Sequence, residues 1–531
     1  MMQENIHKEF DLTSYSTWKS LRNIHLQKKT YTTEEYYFFS VLIEILPESQ
    51  LTEILTTIES INNQSHHNIE VIIINCEHLE IPSTLYAECM SYRGLRKISV
   101  VNKFDLFRHD EHTPLLRGDF AFIAPAGTTW DSFAFALINL NLNMAEKLPD
   151  IIICDSDEVL ERNFFTKPVF ISQGDNNLLL SVLNKPNVGL STYFMKKNYK
   201  ANSNQIQQWF KKLTKNSIAV SKLYIHENIV HYQYNCFEHF HHKEKPSDKS
   251  KLIDKCISII IPNKDNVGLL KNCLAFLDEK RSWQLELIIV DNHSQSKDTW
   301  EYYKKIQKKF NAKIVEAPYK FNFARMINIG ASVSSGSVLI ILNNDIKFTL
   351  PGQIERLILE AMQPEIGVVG SLLLNEDHTI NHAGIILDPQ GFAGHILRGA
   401  NLADQHVKKF ISNKRDYSAV TGALLATRRE VFETVEGMDE VNLAVEFNDI
   451  DFCLKVRELG LNIVHLPLSG VIHKESSTRR LMPAEQISIS RSEAKMLMLR
   501  RWPEYFKKDP YQHPNLIISE SSCIKLNHVN Q

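Results

Sequence analysis

Three strand-like apolar runs in the second half of the chain end in small polar groups. "SIIIPNKDN" passes through Pro262 into Asn263, Lys264 and Asp265; "ELIIVDNHS" ends in Asp291, Asn292 and His293; "VLIILNNDI" ends in Asn343, Asn344 and Asp345. Ligands of open parallel sheets bind beyond the carboxyl ends of the strands. Three such endings in one series therefore gather polar groups where a ligand would lie, although a plain strand-to-turn junction would account for any one of them. Asp345 carries the charge of its trio. A carboxylate oxygen can ligate a hard divalent cation that also takes substrate phosphates. In an extended stretch Asn343 and Asp345 share a face, which would put an amide beside that cation, within reach of a sugar hydroxyl.

Two further stretches carry chemistry. "AVEFNDIDFCLKVRELG", residues 444–460, reads as a helix with Asn448 at the N-cap, Asp449 and Asp451 in the first turn, Lys455 and Arg457 later, and Gly460 at C′. Both carboxylates could simply complement the helix dipole. Alternatively Asp449, kept ionised by the helix N-terminus, could remove a proton from an acceptor hydroxyl. In "GVIHKESSTRR", His473 follows a short apolar run. An imidazole can sit in a structural role or complete a metal site with a carboxylate and phosphate oxygens. Arg479 and Arg480 suit anions.

The elements that must position these groups repeat. The stretch from Tyr36, "YYFFSVLIEILPESQLTEILTTIESINNQSHHNIEVIIINCE", and the stretch from Lys255, "KCISIIIPNKDNVGLLKNCLAFLDEKRSWQLELIIVDNHS", share one grammar: β-rich run, Pro, helix, β-rich run. Pro47 and Pro262 lie 215 apart, Glu70 and Glu286 lie 216 apart. That is βαβ order, hence a parallel sheet with crossover helices, and the near-constant offset indicates duplication. "HKEKPSDKSKLID" between the copies reads as a linker. The expected layout is an N-terminal extension to residue 35, α/β domains at 36–240 and 255–480 joined by 241–254, and a helical tail over 481–531.

Bulk properties exclude other classes. The 531 residues carry 60 Lys+Arg against 62 Asp+Glu, a formal net charge of -2, which argues against a nucleic-acid binder relying on a strong positive field. The N-terminal residues show no secretory signal, and the apolar runs fall short of the roughly 18–20 residues that span a bilayer. Eight Cys without CxxC spacing suggest neither a zinc ribbon nor a disulfide framework. A cytoplasmic protein fits, with peripheral attachment at the inner face of the membrane left open. His239, His241 and His242 in "HFHHK" read as solvated linker rather than a zinc site.

Taken in order, "SIIIPNKDN", "LELIIVDNHS", "FNFARMINIGAS", "VLIILNND", "GVVGSLLLNEDHTINHAGI", "SAVTGALLATRREVFE", "FNDIDFCLKVRELG" and "VIHKESSTRR" resemble the family 2 glycosyltransferases, and most of all the rhamnosyltransferase-type branch of bacterial surface polysaccharide synthesis. The resemblance implies two tandem GT-A-like, Rossmann-like α/β domains with mostly parallel sheets. It also implies inverting transfer from a nucleoside-diphosphate sugar to a glycan or lipid-linked glycan, with Mn²⁺ or Mg²⁺ on the diphosphate. Asn343-Asn344-Asp345 then stands at the family's DxD motif, with Asn343 in place of its first Asp. Asp345 and His473 would be the metal ligands and Asp449 the catalytic base. Pro262, Asn263, Asp265, Asp291, Asn292, Arg325, Asn343 and Asn344 would face the donor, and Thr421, Gly422 and Glu446 the acceptor.

The first copy has lost these groups. Aligning Gly118 with Gly336 puts Gly127 opposite Asp345 and Pro125 opposite Asn343, while Gln205 and Gln207 fall opposite Asp449 and Asp451. His231 stands near the place of His473, and the acidic run Cys154–Glu158 could bind a cation. The first domain is accordingly expected to be degenerate, with a role in acceptor binding, packing or recruitment. A non-catalytic glycan- or nucleotide-binding protein is the alternative for the whole chain. A bifunctional enzyme is disfavoured by the missing carboxylates.

Overall fold

The computed structural model describes residues 15–27, 31, 33, 35–45, 49–74, 97–101, 116–161, 164–169, 188–191, 222–233, 249–253, 255–278, 281, 283–474, 484–518 and 524–526. The chain divides into two compact units, one of Met1–His242 with His513–Asn515 and Leu526–Gln531, the other of Lys243–Gln512 with Leu516–Lys525.

In the first unit α1 (Tyr15–Gln27) precedes β1 (Phe39–Glu44), α2 (Leu51–Asn62), β2 (Ile69–Ile74), β3 (Lys97–Val101), β4 (Phe120–Pro125), β5 (Thr128–Trp130), α3 (Ala134–Met144), β6 (Ile151–Glu161), β7 (Phe164–Val169), β8 (Val188–Ser191) and β9 (Lys222–Gln233). The strands order as β3-β2-β1-β4-β8-β6-β9-β5, with β7 on β6. Residues 15–27 are not a free extension: Tyr15, Trp18 and Leu26 are buried, and Leu26 joins the unit's core.

The second unit begins with β10 (Cys256–Asn263), α4 (Val267–Leu274), β11 (Gln284–Asp291), α5 (Lys297–Phe310), β12 (Lys313–Glu316), α6 (Phe323–Ser332), β13 (Val338–Leu342), β14 (Ile346–Phe348), α7 (Gln353–Ala361) and β15 (Ile366–Ser371). It continues through β16 (Leu373–Leu374), β17 (Ile380–His382), β18 (Ile385–Leu387), β19 (Ala393–His395), α8 (Gln405–Ile411), β20 (Arg415–Asp416), β21 (Leu424–Arg428), α9 (Arg429–Thr434), α10 (Asn448–Glu458), β22 (Asn462–Leu466) and β23 (Val471–His473). Its main sheet orders as β12-β11-β10-β13-β21-β15-β22-β20. Pairing is parallel from β12 to β13 and between β15 and β22; β21 runs antiparallel to both its neighbours.

Continuous apolar runs become these strands because both sheet faces are covered. Alternation by two sends Ile257, Ile259 and Ile261 into one layer and Ile260 into the other, as it does Leu287 and Ile289 against Ile288 and Val290. The first layer is closed by α4, α5 and α7, the second by α6 and α10. Each fully buried Ile or Leu contributes about 1.5–3 kcal/mol. The C-terminal α11 (Ala484–Arg501) and α12 (Pro503–Lys507) give Ala494, Met498 and Phe506 to that second layer, so the helical tail is part of this unit's core.

Duplication is visible atom by atom. In the buried β10, Ser258 Oγ donates to Glu286 Oε2 (2.5 Å) and accepts from Gly336 N (2.8 Å). In β1, Ser40 Oγ donates to Glu70 Oε1 (2.6 Å) and accepts from Gly118 N (2.9 Å). A Cβ on either glycine would lie 2.5 Å from the serine oxygen and 2.6 Å from its backbone nitrogen. The register agrees: Ser40 faces Glu70 as Ser258 faces Glu286.

Two expectations for the first copy change. Cys154, Asp155, Ser156 and Asp157 are buried in β6, Asp157 Oδ2 accepts from Tyr15 Oη (2.6 Å), and Asp155 Oδ2 lies 2.7 Å from His513 Nε2 in the same unit. These carboxylates are satisfied by protein groups, so the stretch is an internal polar network rather than a cation site. Next, β5 pairs Thr128 with Tyr232 and Thr129 with His231, whereas β14 pairs Ile346 with His473. The counterpart of His473 is thus Tyr232, and His231 lies near that place but one residue out of register. Pro47, Gln205, Gln207, His239, His241, His242, Arg479 and Arg480 lie outside the described residues.

Candidate active site

The β10–β13 pairing runs from Ile257↔Val338 to Ile260↔Ile341. Beyond it, at the carboxyl ends of both strands, the polar residues collect. Asn344 Nδ2 donates to Asn263 Oδ1 (2.7 Å) and so bridges the crevice. Pro262, which has no N–H to give, lies past the last β13 partner and faces Val290 of β11.

Asn343-Asn344-Asp345 is not extended. Ile346 N donates to Asn343 O (3.3 Å), closing a turn between β13 and β14. The expected shared face of Asn343 and Asp345 is therefore replaced by a tight reversal. That turn delivers Asp345 to β23, where the β14–β23 pairing sets Ile346 opposite His473. His473 Nε2 lies 3.3 Å from Asp345 Oδ1, with only 12% and 8% of their side chains exposed. The other ring nitrogen, Nδ1, is 3.0 Å from Asn381 Oδ1.

The expected donor side forms one network. Asn263 Nδ2 donates to Tyr303 Oη (2.7 Å), and Tyr303 Oη donates to Asp291 Oδ1 (2.6 Å). Burial and that bond to Asp291 push the Tyr303 phenol well above its ordinary range. Asp291 also accepts from Ser294 N (2.9 Å) and from Ser294 Oγ. Asn292 Nδ2 donates to Ala317 O and Tyr319 O (2.9 Å each). Asp291 and Asn292 are 1% and 3% exposed, so their side chains brace the crevice wall. Asp265 Oδ1 accepts from Gln295 N and Ser296 N (2.9 Å each) and ties the two βα loops together. Arg325 is exposed on α6, its guanidinium 4.3 Å from the Tyr319 ring centroid.

The helix of Asp449 starts one residue earlier than its capping pattern implies. Phe447 occupies the N-cap with φ 61, and Asn448 is already helical, its Nδ2 donating to Val445 O (2.7 Å). Positive φ in a bulky residue is strained backbone of the kind held at functional sites. Gly460, with φ 76, takes the C′ position as expected. Asp449 Oδ2 accepts from Gly422 N (2.8 Å) and Oδ1 from Ile450 N (2.9 Å), which fixes the carboxylate beside Thr421 and Gly422. Glu446 is half-buried in the segment leading to this helix. Asp451 has a different role: fully buried, its Oδ1 accepts from Arg501 Nη1 and Trp502 Nε1 (2.9 Å each), fastening α10 to α11.

Residue types alone did not single out His382, Asn381 or Tyr303. His382 is buried, and its Nε2 accepts from Gly384 N (3.3 Å) and Thr421 N (3.4 Å), so it supports the loop that holds Asp449. Burial, with His395 beside it, pushes this imidazole well below its usual range. The available signal was the polar run "NEDHTINH" set between apolar strands.

Among the described residues no group of three or more His, Cys, Asp or Glu side chains could hold a metal by itself. The donor set of Asp345 and His473, one carboxylate and one imidazole in a mostly buried pair, fits a cation that draws its remaining ligands from phosphate oxygens and water. Among the described residues no helix is long and apolar enough to cross a membrane.

Residues 258–435 match the family model described as Glycosyl transferase family 2. The match holds the β10, β11 and β13 endings and Asp345 but stops before Asp449 and His473, which only the fold brings alongside. An uncharacterized protein, y4gI, of Sinorhizobium fredii (strain NBRC 101917 / NGR234) is 32% identical over 272 residues, 50% of this chain and 30% of the relative. The O-antigen biosynthesis protein RfbC of Myxococcus xanthus is 30% identical over 273 residues, 50% of this chain and 21% of the relative. The matched segments thus span less than a third of either relative. Among solved structures, GalNAc-T7 with UDP, GalNAc and Mn²⁺ aligns at 17% identity and TM-score 0.39, over 52% of this chain and 51% of that one. The mannosyltransferase PcManGT from Pyrobaculum calidifontis with GDP-Man and Mn²⁺ aligns at 14% identity and TM-score 0.34, over 51% and 71%.

Proposed function

We propose, from the match of residues 258–435 to the family model described as Glycosyl transferase family 2, that the second unit moves a sugar from a nucleoside-diphosphate sugar to a glycan or lipid-linked glycan acceptor, with inversion, in surface-polysaccharide synthesis of the O-antigen type. The reaction would take place in the cytoplasm, at the inner face of the membrane for a lipid-linked acceptor. One observation carries the reading: the β14–β23 pairing brings Asp345 and His473 to 3.3 Å at the carboxyl end of the sheet. A divalent cation, Mn²⁺ or Mg²⁺, held by this pair would neutralise the charge that develops on the departing diphosphate. Arg325 supplies a further positive charge to the donor side. Asp449, held by Gly422 N, accepts the proton of the acceptor hydroxyl as its oxygen attacks the anomeric carbon from the face opposite the diphosphate. The carbon–oxygen bond to the acceptor forms as that to the diphosphate breaks, so a single displacement inverts the centre.

The first unit is a degenerate copy in this reading. At the position of Asp345 it has Gly127, with φ 87 and its N–H bonded to Glu53 O (3.1 Å) and Thr57 Oγ1 (2.9 Å). A turn is kept there without a cation ligand, which leaves the unit to acceptor binding, packing or recruitment.

The test is hydrolysis of a panel of nucleoside-diphosphate sugars by the full chain with Mn²⁺ or Mg²⁺. One donor should be consumed only with metal, and Asp345→Ala should abolish turnover. A donor that binds by calorimetry yet is never consumed, with candidate acceptors present, would instead identify a non-catalytic binding protein.

A further inference from the structure

The hairpin Asn375–Asn381 is polar although it enters a buried sheet, and its side chains Asn381, Asn375, Thr379 and Asp377 form one directed chain of hydrogen bonds. Asp377 is an exposed carboxylate that accepts from Thr379 N (3.0 Å) and Thr379 Oγ1 (2.7 Å). Those two bonds hold its carboxyl below the ordinary range, as expected for a group that accepts and does not donate. Because the Thr379 hydroxyl proton goes to Asp377, Thr379 Oγ1 must accept, and Asn375 Nδ2 donates to it (2.8 Å). The amide of Asn375 is thereby oriented, so its Oδ1 accepts from Asn381 Nδ2 (2.9 Å). That in turn orients Asn381, whose Oδ1 is the atom 3.0 Å from His473 Nδ1. An amide oxygen can only accept, so His473 Nδ1 must carry the proton.

We infer that Asn381 is a positioning residue, oriented by the chain Asp377–Thr379–Asn375, that fixes His473 as its Nδ1–H tautomer and turns the Nε2 lone pair toward Asp345. Two acceptors 3.3 Å apart repel unless a cation or a proton lies between them. The hairpin therefore leaves Nε2, not Nδ1, as the ring nitrogen that a cation beside Asp345 would use. An oriented second partner is what commonly tunes an imidazole ligand, and its loss typically weakens metal affinity 10–100-fold. The inference rests on the metal role proposed above, but the tautomer itself does not depend on it.

The experiment uses the full chain labelled with ¹⁵N-histidine and free of metal, read by long-range ¹H–¹⁵N correlation at a pH where the ring is neutral. The His473 signals are assigned by their loss in His473→Gln. Mn²⁺ binding is measured separately by the paramagnetic signal of the free ion, without donor. The wild type should show the Nδ1–H pattern. Asn381→Leu should release it to a mixture and weaken Mn²⁺ binding about tenfold or more. Thr379→Val keeps Asn381 but removes the directing hydroxyl, and should also populate the second tautomer. An Nε2–H pattern in the wild type overturns the inference, as does an unchanged tautomer in a folded Asn381→Leu. Should the wild type show Nδ1–H, lose it in both variants and yet bind no Mn²⁺, the relay stands and the metal role falls.

Discussion

Replacing Asp449 by Asn separates the two readings of this carboxylate most cleanly. Asp449 uses one oxygen to accept from Gly422 N and the other to accept from Ile450 N. Asn offers one acceptor oxygen, so one of these bonds is lost, at a cost of about 1 kcal/mol. That is small beside the ~5–15 kcal/mol that keeps a domain folded, so the variant should be native. Asp345 and His473 lie on other elements, and the donor and Mn²⁺ affinities should stay within about twofold. The chemistry should not survive. A general base contributes ~10²–10⁴-fold, equivalent to about 3–5 kcal/mol of barrier, and an amide cannot take the proton. The assay is transfer kinetics with a fixed acceptor, alongside donor binding by calorimetry. The expected result is kcat down by ~10²–10⁴ with donor Kd unchanged, the pattern of a group acting on the transition state. A transfer rate within tenfold of wild type would refute the base assignment and leave Asp449 as a helix-dipole residue. A collapse of donor affinity that accounts for the whole loss would refute it in another way, by making the carboxylate a binding group.

Two further outcomes follow from the fold. Gly336→Ala forces backbone apart at β10, because its Cβ would lie 2.6 Å from Ser258 N and 2.9 Å from Cys256 O. It should cost about 1–3 kcal/mol and speed amide exchange in β10 and β13 while β1 and β4 keep theirs; unchanged exchange would sink the close-approach argument. Asp509 is buried, accepts from Leu387 N (2.7 Å) and Tyr511 N (2.8 Å), and burial pushes its carboxyl up to about 6. A raised acid favours the folded state most below its unfolded value of about 3.9, and that advantage is lost as pH rises through about 6. At ~1.4 kcal/mol per tenfold in proton affinity, the loss is on the order of 3 kcal/mol. Denaturation midpoints of wild type relative to Asp509→Asn should therefore fall between about pH 4 and 6 and then level; a flat difference would contradict the burial argument.

The elements that carry the candidate site were legible because their signals are local. Apolar runs of four to six residues separated by helical stretches specify βαβ units, and the polar ends of three such runs fall together wherever strands lie parallel. Gly460 and the first-turn acids likewise mark a helix with no need of tertiary contacts. Signals that depend on register were less legible. His231 was expected near the place of His473, and only the pairing shows that the place itself belongs to Tyr232, one residue on. The acidic run in β6 looked like ligand chemistry, and only its burial beside Tyr15 shows it to be internal. Asn343 and Asp345 read as extended because spacing does not reveal where a strand reverses.

By itself the sequence determined the α/β class, the duplication and the identity of the groups able to do chemistry, since each is written in period, offset or residue type. Tertiary structure alone decided which of those groups lie together. Asp345 and His473 meet because β14 and β23 pair in one register; Asp449 is aimed by a backbone N–H from a different loop; and Asp451, two residues on, is turned inward to Arg501. Hydrogen bonds between residues far apart in the chain require both partners to be in place at ångström precision. No local pattern encodes that distance, whereas the packed sheet fixes it.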